Sequence, residues 1–211
     1  NSMMAIWMRA NKRALIVLNG MALVGSMYYI FSFRRDEILV LLPLVLATLF
    51  YVFPFNIKVG GLRTIPGFKL FLIAITWTGL TLYLPLISAE TSFSQGVYPI
   101  LAQRFLFVIA ITIPFDIRDA QFDVPGLNTI PQLLGVNTSK IIAVLALCIS
   151  VIIDFSLVHP DSKILWINLL IMGLSMLMIV FSGIKRQRFY TAFWIEAIPI
   201  LWYLFLLIFV K

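Results

Sequence analysis

Three aspartates, Asp116, Asp119 and Asp123, lie in one short connection between two long apolar runs. The chain carries only nine acidic residues, so a third of its carboxylates lie in this connection. On a helix, where each residue turns by about 100°, the spacing i, i+3, i+7 places all three within about 60° of one another. Carboxylates stacked in this way repel unless a cation lies between them. Mg²⁺ suits such a position, because it takes oxygen ligands from one or two carboxylates, from waters and from substrate phosphates. From spacing alone, a solvated acidic face at a helix end is an equally good interpretation.

The composition places these aspartates in a membrane protein. Apolar residues make up 62% of the chain and charged residues 12%, and the mean hydropathy is +1.03. A soluble domain is about half apolar and about a quarter charged. The single cysteine, Cys148, lies within an apolar run, which leaves no disulfide framework and no cysteine metal site.

Seven apolar runs are each long enough to cross about 30 Å of hydrocarbon as a helix. They are continuous in Leu, Ile, Val and Phe and do not alternate with polar residues, which argues against barrel strands. The sequence therefore predicts an all-α, polytopic transmembrane bundle with residues 1–211 in a single transmembrane domain. The predicted spans are Ala14–Phe33, Glu37–Phe55, Lys69–Ile87, Val97–Phe115, Lys140–Leu157, Ile164–Ile184 and Thr191–Val210.

The distribution of basic residues predicts the orientation of these spans. With the N-terminus inside, eleven of the sixteen Lys and Arg residues fall in cytoplasmic segments and four fall outside, which agrees with the positive-inside rule. All three aspartates then lie on the cytoplasmic side. We also expect the membrane to be a bacterial inner membrane. The basic residues are scattered over several loops, so we expect contact with anionic lipid and no nucleic-acid partner. The eleven are Arg9, Lys12, Arg13, Lys58, Arg63, Lys69, Arg118, Lys140, Lys185, Arg186 and Arg188; the four are Arg34, Arg35, Lys163 and Lys211.

The segment that follows the aspartates weighs against a simple solvated face. Gly126, Asn128, Thr129 and Pro131 form a break of turn-forming residues before apolar sequence resumes. The whole run, DIRDAQFDVPGLNTIPQLLG from Asp116 to Gly135, resembles the second aspartate-rich motif of the UbiA superfamily of intramembrane prenyltransferases. The connection YVFPFNIKVGGLRTIPGFK, residues 51–69, is similar to the cytoplasmic loop between helices 4 and 5 of that family.

The resemblance implies a nine-helix fold of which the seven spans would be helices 3 to 9. The family has a first acidic motif, an Asn and Asp cluster ahead of helix 3, and no acidic residue precedes Asp36 in this chain. The sequence opens NSMMAIWMRANKR and passes directly into the first span. We therefore expect that an N-terminal pair of helices is missing from this sequence.

The resemblance also implies an activity and its residues. A UbiA-type enzyme transfers a polyprenyl group from its diphosphate to a lipophilic or aromatic acceptor, with Mg²⁺ joining the aspartates to the diphosphate. Asp119 and Asp123 match the family's metal-binding DxxxD pair, and Asp116 matches an upstream aspartate that serves as a further ligand or as a proton acceptor. The candidates to bind the diphosphate are Lys58, Arg63, Lys69 and Arg118; for each, a loop charge that only sets topology is the competing interpretation.

Three polar residues elsewhere need an explanation in so apolar a chain. Arg104 lies within a span, where an ionisable side chain costs at least a few kcal/mol unless it is paired. About 18 Å of helix separates it from the aspartates, so we expect Glu196 of the last span to be its partner. Asp154 and His159 fall at the outer end of a span and are predicted to be interfacial.

Two functions from different classes remain open on this sequence. The first is a Mg²⁺-dependent prenyltransferase. The second is a non-catalytic UbiA-like subunit that binds lipid or a partner membrane protein, which the absent first motif favours. A channel or ion-coupled transporter is less favoured, because the spans contain few paired polar residues.

Overall fold

The structure is a computed structural model that describes residues 3–52, 65, 67–90, 96–120, 129–156, 162–184 and 189–210. Every regular element in these ranges is a helix, as the continuous apolar runs predict. The described helices are α1 (Met3–Ala10), α2 (Lys12–Ile30), α3 (Arg35–Val52), α4 (Phe68–Thr78), π1 (Gly79–Tyr83), α5 (Leu84–Ser88), α6 (Val97–Asp119), α7 (Ile130–Leu134), α8 (Val136–Ser156), α9 (Ser162–Val180), π2 (Tyr190–Ile195) and α10 (Ala197–Phe209).

Six helical segments of the described chain are long and apolar enough to cross a membrane, which indicates a multi-pass membrane protein. The helix α3 is not among them. Its first turn carries Arg35, Asp36 and Glu37, and the uncharged remainder extends only about 22 Å, short of the roughly 30 Å hydrocarbon core. The predicted second span, Glu37–Phe55, therefore stays a prediction. The six are Lys12–Ile30, Phe68–Ser88, Val97–Asp119, Val136–Ser156, Lys163–Val180 and Tyr190–Phe209.

The chain divides into two compact units, Asn1–Leu39 and Val40–Lys211. In the first unit, α2 buries none of its side chains, as expected for a helix whose apolar surface meets lipid. A single domain over residues 1–211 stays a prediction. All of the predicted site residues belong to the second unit.

The centre of the second unit is α6, which packs most closely against α8. Ala110 of α6 and Ala143 of α8 are both fully buried. Small side chains at such an interface let two helix backbones approach closely, which is how helices associate when lipid is as apolar as the core. Larger side chains, including Ile113 and Leu147, fill the space on either side. This packing fixes the position of α6, and α6 carries the predicted aspartates at its C-terminal end.

Two π-helical segments interrupt the α-helical spans. The first, π1, continues α4 and leads into α5, while π2 leads into α10. A π-helical turn adds a residue to the turn and rotates the side chains that follow, and such turns occur frequently at functional sites. Here π1 and π2 present side chains to the same cavity, which is described below.

Candidate functional site

Four of the seven predicted site residues lie in the described part of the chain. Asp116, Arg118 and Asp119 form the last turn of α6, and Lys69 lies in the first turn of α4. The remaining three, Lys58, Arg63 and Asp123, lie outside the described residues.

Lys69 and Asp116 form an ion pair between α4 and α6. The Nζ of Lys69 donates to Oδ1 of Asp116 at 2.7 Å. The side chain of Asp116 is 3% exposed, whereas that of Lys69 is 39% exposed. An ionised carboxylate so deeply buried requires a cation and hydrogen bonds to offset its desolvation, and Lys69 supplies part of that compensation. A predicted diphosphate-binding residue and a predicted metal ligand are therefore in direct contact.

Arg118 joins the end of α6 to π2. Its Nε and Nη2 donate to the two carboxylate oxygens of Asp119 at 2.7 and 2.8 Å, and its Nη1 donates to Oγ1 of Thr191 at 2.9 Å. This is the forked, two-bond geometry for which a guanidinium is suited. Glu196 adds a further electrostatic attraction to Arg118. The side chain of Asp119 remains 36% exposed, so it is reachable from outside the bundle.

The two described aspartates are thus turned toward different cations of the chain. Asp116 contacts Lys69 of α4, and Asp119 contacts Arg118. Among the described residues, no group of three or more His, Cys, Asp or Glu side chains could hold a metal. The oxygen chemistry of Asp119 nevertheless fits Mg²⁺, and its exposure leaves it accessible to the ion. Asp123, the other residue of the predicted metal-binding pair, lies outside the described residues.

A cavity of about 760 Å³ lies beside α6, between the α4–π1 segment and the π2–α10 segment. Its α6 wall extends from Arg104 to Phe115, about 16 Å along the helix. Phe115 also contacts the Arg118 guanidinium, whose Cζ is 5.3 Å from the ring centroid. The cavity therefore lies next to the charged end of α6, which is formed by Asp116, Arg118 and Asp119. The volume is in the range of small-molecule sites. The other lining residues are mostly apolar: Ile73, Trp77, Thr81, Phe107, Val108, Ile111, Thr112, Ile195, Glu196, Pro199 and Ile200.

Arg104 does not form the expected ion pair with Glu196. Both residues line the cavity, but no ion pair joins them within the part of the chain that the structure describes. The guanidinium instead lies over the indole of Trp202, with 3.9 Å between its Cζ and the ring centroid. A cation over an aromatic face is worth up to about 2 kcal/mol when desolvated, which offsets only part of the cost of burial.

The side chain of Asp154 is covered by protein in the last turn of α8, and its predicted position at the membrane interface stays a prediction. Asp154 is 2% exposed, and its Oδ1 accepts a hydrogen bond from Asn168 Nδ2 at 3.0 Å. The Oδ1 of Asn168 accepts one from Trp202 Nε1 at 2.9 Å, so a buried polar chain runs from α8 through α9 to the indole beneath Arg104. An ionisable residue inside a span together with Asn168 in the next span was the available signal, because such residues pair inside a bundle. His159 lies outside the described residues.

Comparisons of the chain with protein-family models, with curated proteins and with solved structures found no match.

Proposed function

We propose that this chain belongs to an intramembrane prenyltransferase of the UbiA type, with seven spans that correspond to helices 3 to 9 and an N-terminus on the cytoplasmic side of a bacterial inner membrane. The reaction transfers a polyprenyl group from its diphosphate to a lipophilic or aromatic acceptor. The observation that supports it best is the position of the Lys69–Asp116 and Arg118–Asp119 pairs at one end of α6, next to an apolar cavity.

Each part of this arrangement matches one part of the substrate. The apolar cavity walls suit an isoprenoid chain, and the charged end of α6 suits a diphosphate. Lys69 is 39% exposed although it binds a buried carboxylate, so a substrate phosphate can approach its ammonium. Asp116 holds Lys69 at this end of the helix. Thr191 and Asp119 hold the Arg118 guanidinium in a fixed direction.

The chain's contribution to the reaction is to position charge. When the carbon–oxygen bond of the donor breaks, its electron pair leaves with the diphosphate and the prenyl group becomes an allylic cation. Lys69 and Arg118 stabilise the charge that develops on the leaving group. An acceptor carbon then donates an electron pair to the cation and loses a proton. Mg²⁺ would be held by Asp119 and Asp123, with Asp116 as a further candidate, and it would supply additional charge stabilisation to the diphosphate. Lys58 and Arg63 stay candidates to bind its oxygens.

The aromatic ring of Phe115 adds a feature that suits this chemistry. It lines the cavity and also contacts Arg118, so it lies between the apolar space and the charged groups. A π face stabilises a nearby cation, and an allylic cation formed at the mouth of the cavity would meet such a face. The proposal therefore places the donor's reacting carbon near Phe115.

A non-catalytic UbiA-like subunit, which binds lipid or a partner membrane protein, is the second candidate. The observation that favours it is that Asp116 and Asp119 are each bound to a cation of the chain itself. In such a protein the pairs would only stabilise the contacts of α6 with α4 and π2. The same cavity would then hold a lipid that is not transformed.

A transfer assay separates the two candidates. Membranes that contain the full-length protein would receive a prenyl diphosphate labelled in the prenyl group, together with a lipid extract as the source of acceptor. Prenyl transfer predicts label in a new lipid-soluble product and a matching release of diphosphate. Binding of the labelled donor without either product would support the non-catalytic subunit and overturn the enzyme.

A further inference from the structure

Arg104 carries a charge inside the membrane-spanning part of the bundle without a counter-ion among the described residues. Arg104 lines the cavity, and its guanidinium lies over Trp202. It donates no hydrogen bond to any side chain or carbonyl in the described ranges. A guanidinium has five N–H donors, and none of them can be satisfied by the face of an indole. The residue is therefore prepared to meet an acceptor that enters the cavity.

The surroundings hold Arg104 in this position. Trp202 is 3% exposed, its ring packs edge-on against Phe107 at 4.8 Å, and its Nε1–H is bound by Asn168. Asn168 is in turn bound to the buried Asp154. Four helices, α6, α8, α9 and α10, thus contribute to a rigid support for one guanidinium. A side chain that served only to reach an aqueous surface would not need this support.

The cavity determines what kind of ligand can bring the acceptor. Beyond Arg104 its α6 wall consists of apolar side chains and Thr112, and its volume of about 760 Å³ admits an amphiphile of moderate size. Bringing a charge into such a space is costly unless an opposite charge accompanies it. We propose that Arg104 binds the carboxylate of a lipophilic acid whose apolar body lies in the cavity.

Glu196 provides an internal comparison for this site. It lines the same cavity but carries the opposite charge, and it interacts electrostatically with Arg118 at the charged end of α6. An anionic ligand is thus attracted by Arg104 and repelled by Glu196, which orients its carboxylate toward the Arg104 end. The inference concerns binding and does not depend on prenyl transfer.

The test is competition for a photoreactive fatty acid in bilayers of zwitterionic lipid, with the full-length protein at a pH where the acids are ionised. Crosslinked peptides would be mapped by mass spectrometry. Two pairs of competitors, equal within each pair except for charge, distinguish the sources of carboxylate: oleate against oleyl alcohol, and 1-naphthoate against 1-naphthalenemethanol. We expect labelling of cavity residues such as Ile200. We also expect at least one carboxylate to compete about tenfold better than its alcohol.

Substitutions assign that preference to Arg104. Arg104→Gln should abolish the preference for the carboxylate, Arg104→Lys should retain part of it, and the matched cavity variant Glu196→Gln should retain or increase it. Equal competition by acid and alcohol in both pairs with the wild-type protein would overturn the proposal, even if Arg104→Gln failed to fold. A preference that persists in folded Arg104→Gln would overturn it as well.

Discussion

The buried carboxylate of Asp116 is the residue whose environment is most constrained at the candidate site. It is 2% exposed at the end of a membrane-spanning helix, and it is bound to Lys69 from another helix. Removing one member of a buried ion pair leaves the other charge in a medium of low polarity, whereas replacing both members with neutral groups can be almost neutral. The two kinds of substitution should therefore behave differently.

Lys69→Met is expected to destabilise the protein more than the double variant Lys69→Met/Asp116→Asn. Breaking a buried pair costs about 3–5 kcal/mol, and the 39% exposure of Lys69 places the expectation nearer 2–3 kcal/mol. Thermal unfolding in detergent measures the difference. Asp36→Asn, which changes an exposed aspartate in the other compact unit, serves as the control. Equal destabilisation by the single and double variants would show that the pair does not act as a unit.

Four residues of the predicted site contact one another in two pairs. The spacing pointed to Asp116 and Asp119, whereas the resemblance to the UbiA motif implied Lys69 and Arg118. The partners themselves were not predictable, because which carboxylate meets which cation depends on how α4 and π2 pack against α6. The burial of Asp154 was missed for the same reason, since hydropathy does not tell which face of a span is covered.

At the scale of the elements, the polar chain from Asp154 through Asn168 to Trp202 connects α8, α9 and α10 by hydrogen bonds. Asn168 is 5% exposed and uses its amide both as donor and as acceptor. It is therefore the residue through which the other two are coupled.

Helix positions followed from the apolar runs to within a few residues, as the predicted span Val97–Phe115 and the observed α6 show. The π-helical turns did not follow, because their extra residue per turn comes from packing and leaves no hydropathy signal.

Asn168→Leu should destabilise the bundle, because it removes one hydrogen-bond partner from Asp154 and one from Trp202. A buried polar group that loses its partner costs about 1–3 kcal/mol, but hydrogen bonds between membrane helices average nearer 0.6 kcal/mol, so we expect a total of about 1–3 kcal/mol. The apparent melting temperature in detergent measures it. Ser156→Ala removes an exposed hydrogen bond within α8 and should change stability by less than about 0.5 kcal/mol. A melting temperature for Asn168→Leu equal to that of Ser156→Ala would contradict this role.

For the whole molecule, the decisive question is whether α3 crosses the membrane. Composition established the class of protein, and six helices are long and apolar enough to span. The predicted second span overlaps α3, which begins with three charged residues, so hydropathy alone does not assign it. The distribution of Lys and Arg favours seven spans with the N-terminus inside, since that arrangement gathers most basic residues on the cytoplasmic side.

Single cysteines at Ser32 and Glu90 test this topology. If α3 and the Phe68–Ser88 segment both span, the two positions lie on the same, outer side of the membrane. If only one of them spans, the positions lie on opposite sides. Labelling of intact cells with a membrane-impermeant thiol reagent, in a Cys148→Ala background, is expected to modify both positions. Modification of Ser32→Cys with protection of Glu90→Cys would contradict the seven-span arrangement.

The central claim is that the charged end of α6 carries out prenyl transfer, and the initial rate of transfer by Asp119→Asn tests it most directly. Asp119 is exposed enough to meet a metal ion and substrate, and it also fixes Arg118. In membranes with the full-length protein and excess Mg²⁺, we expect Asp119→Asn to lower the rate by about 10² or more, an effect typical of removing charge stabilisation at a transition state. Asp36→Asn should leave the rate unchanged, and chelation of Mg²⁺ should abolish transfer by both the wild type and this control. A rate for Asp119→Asn equal to that of Asp36→Asn would contradict the account.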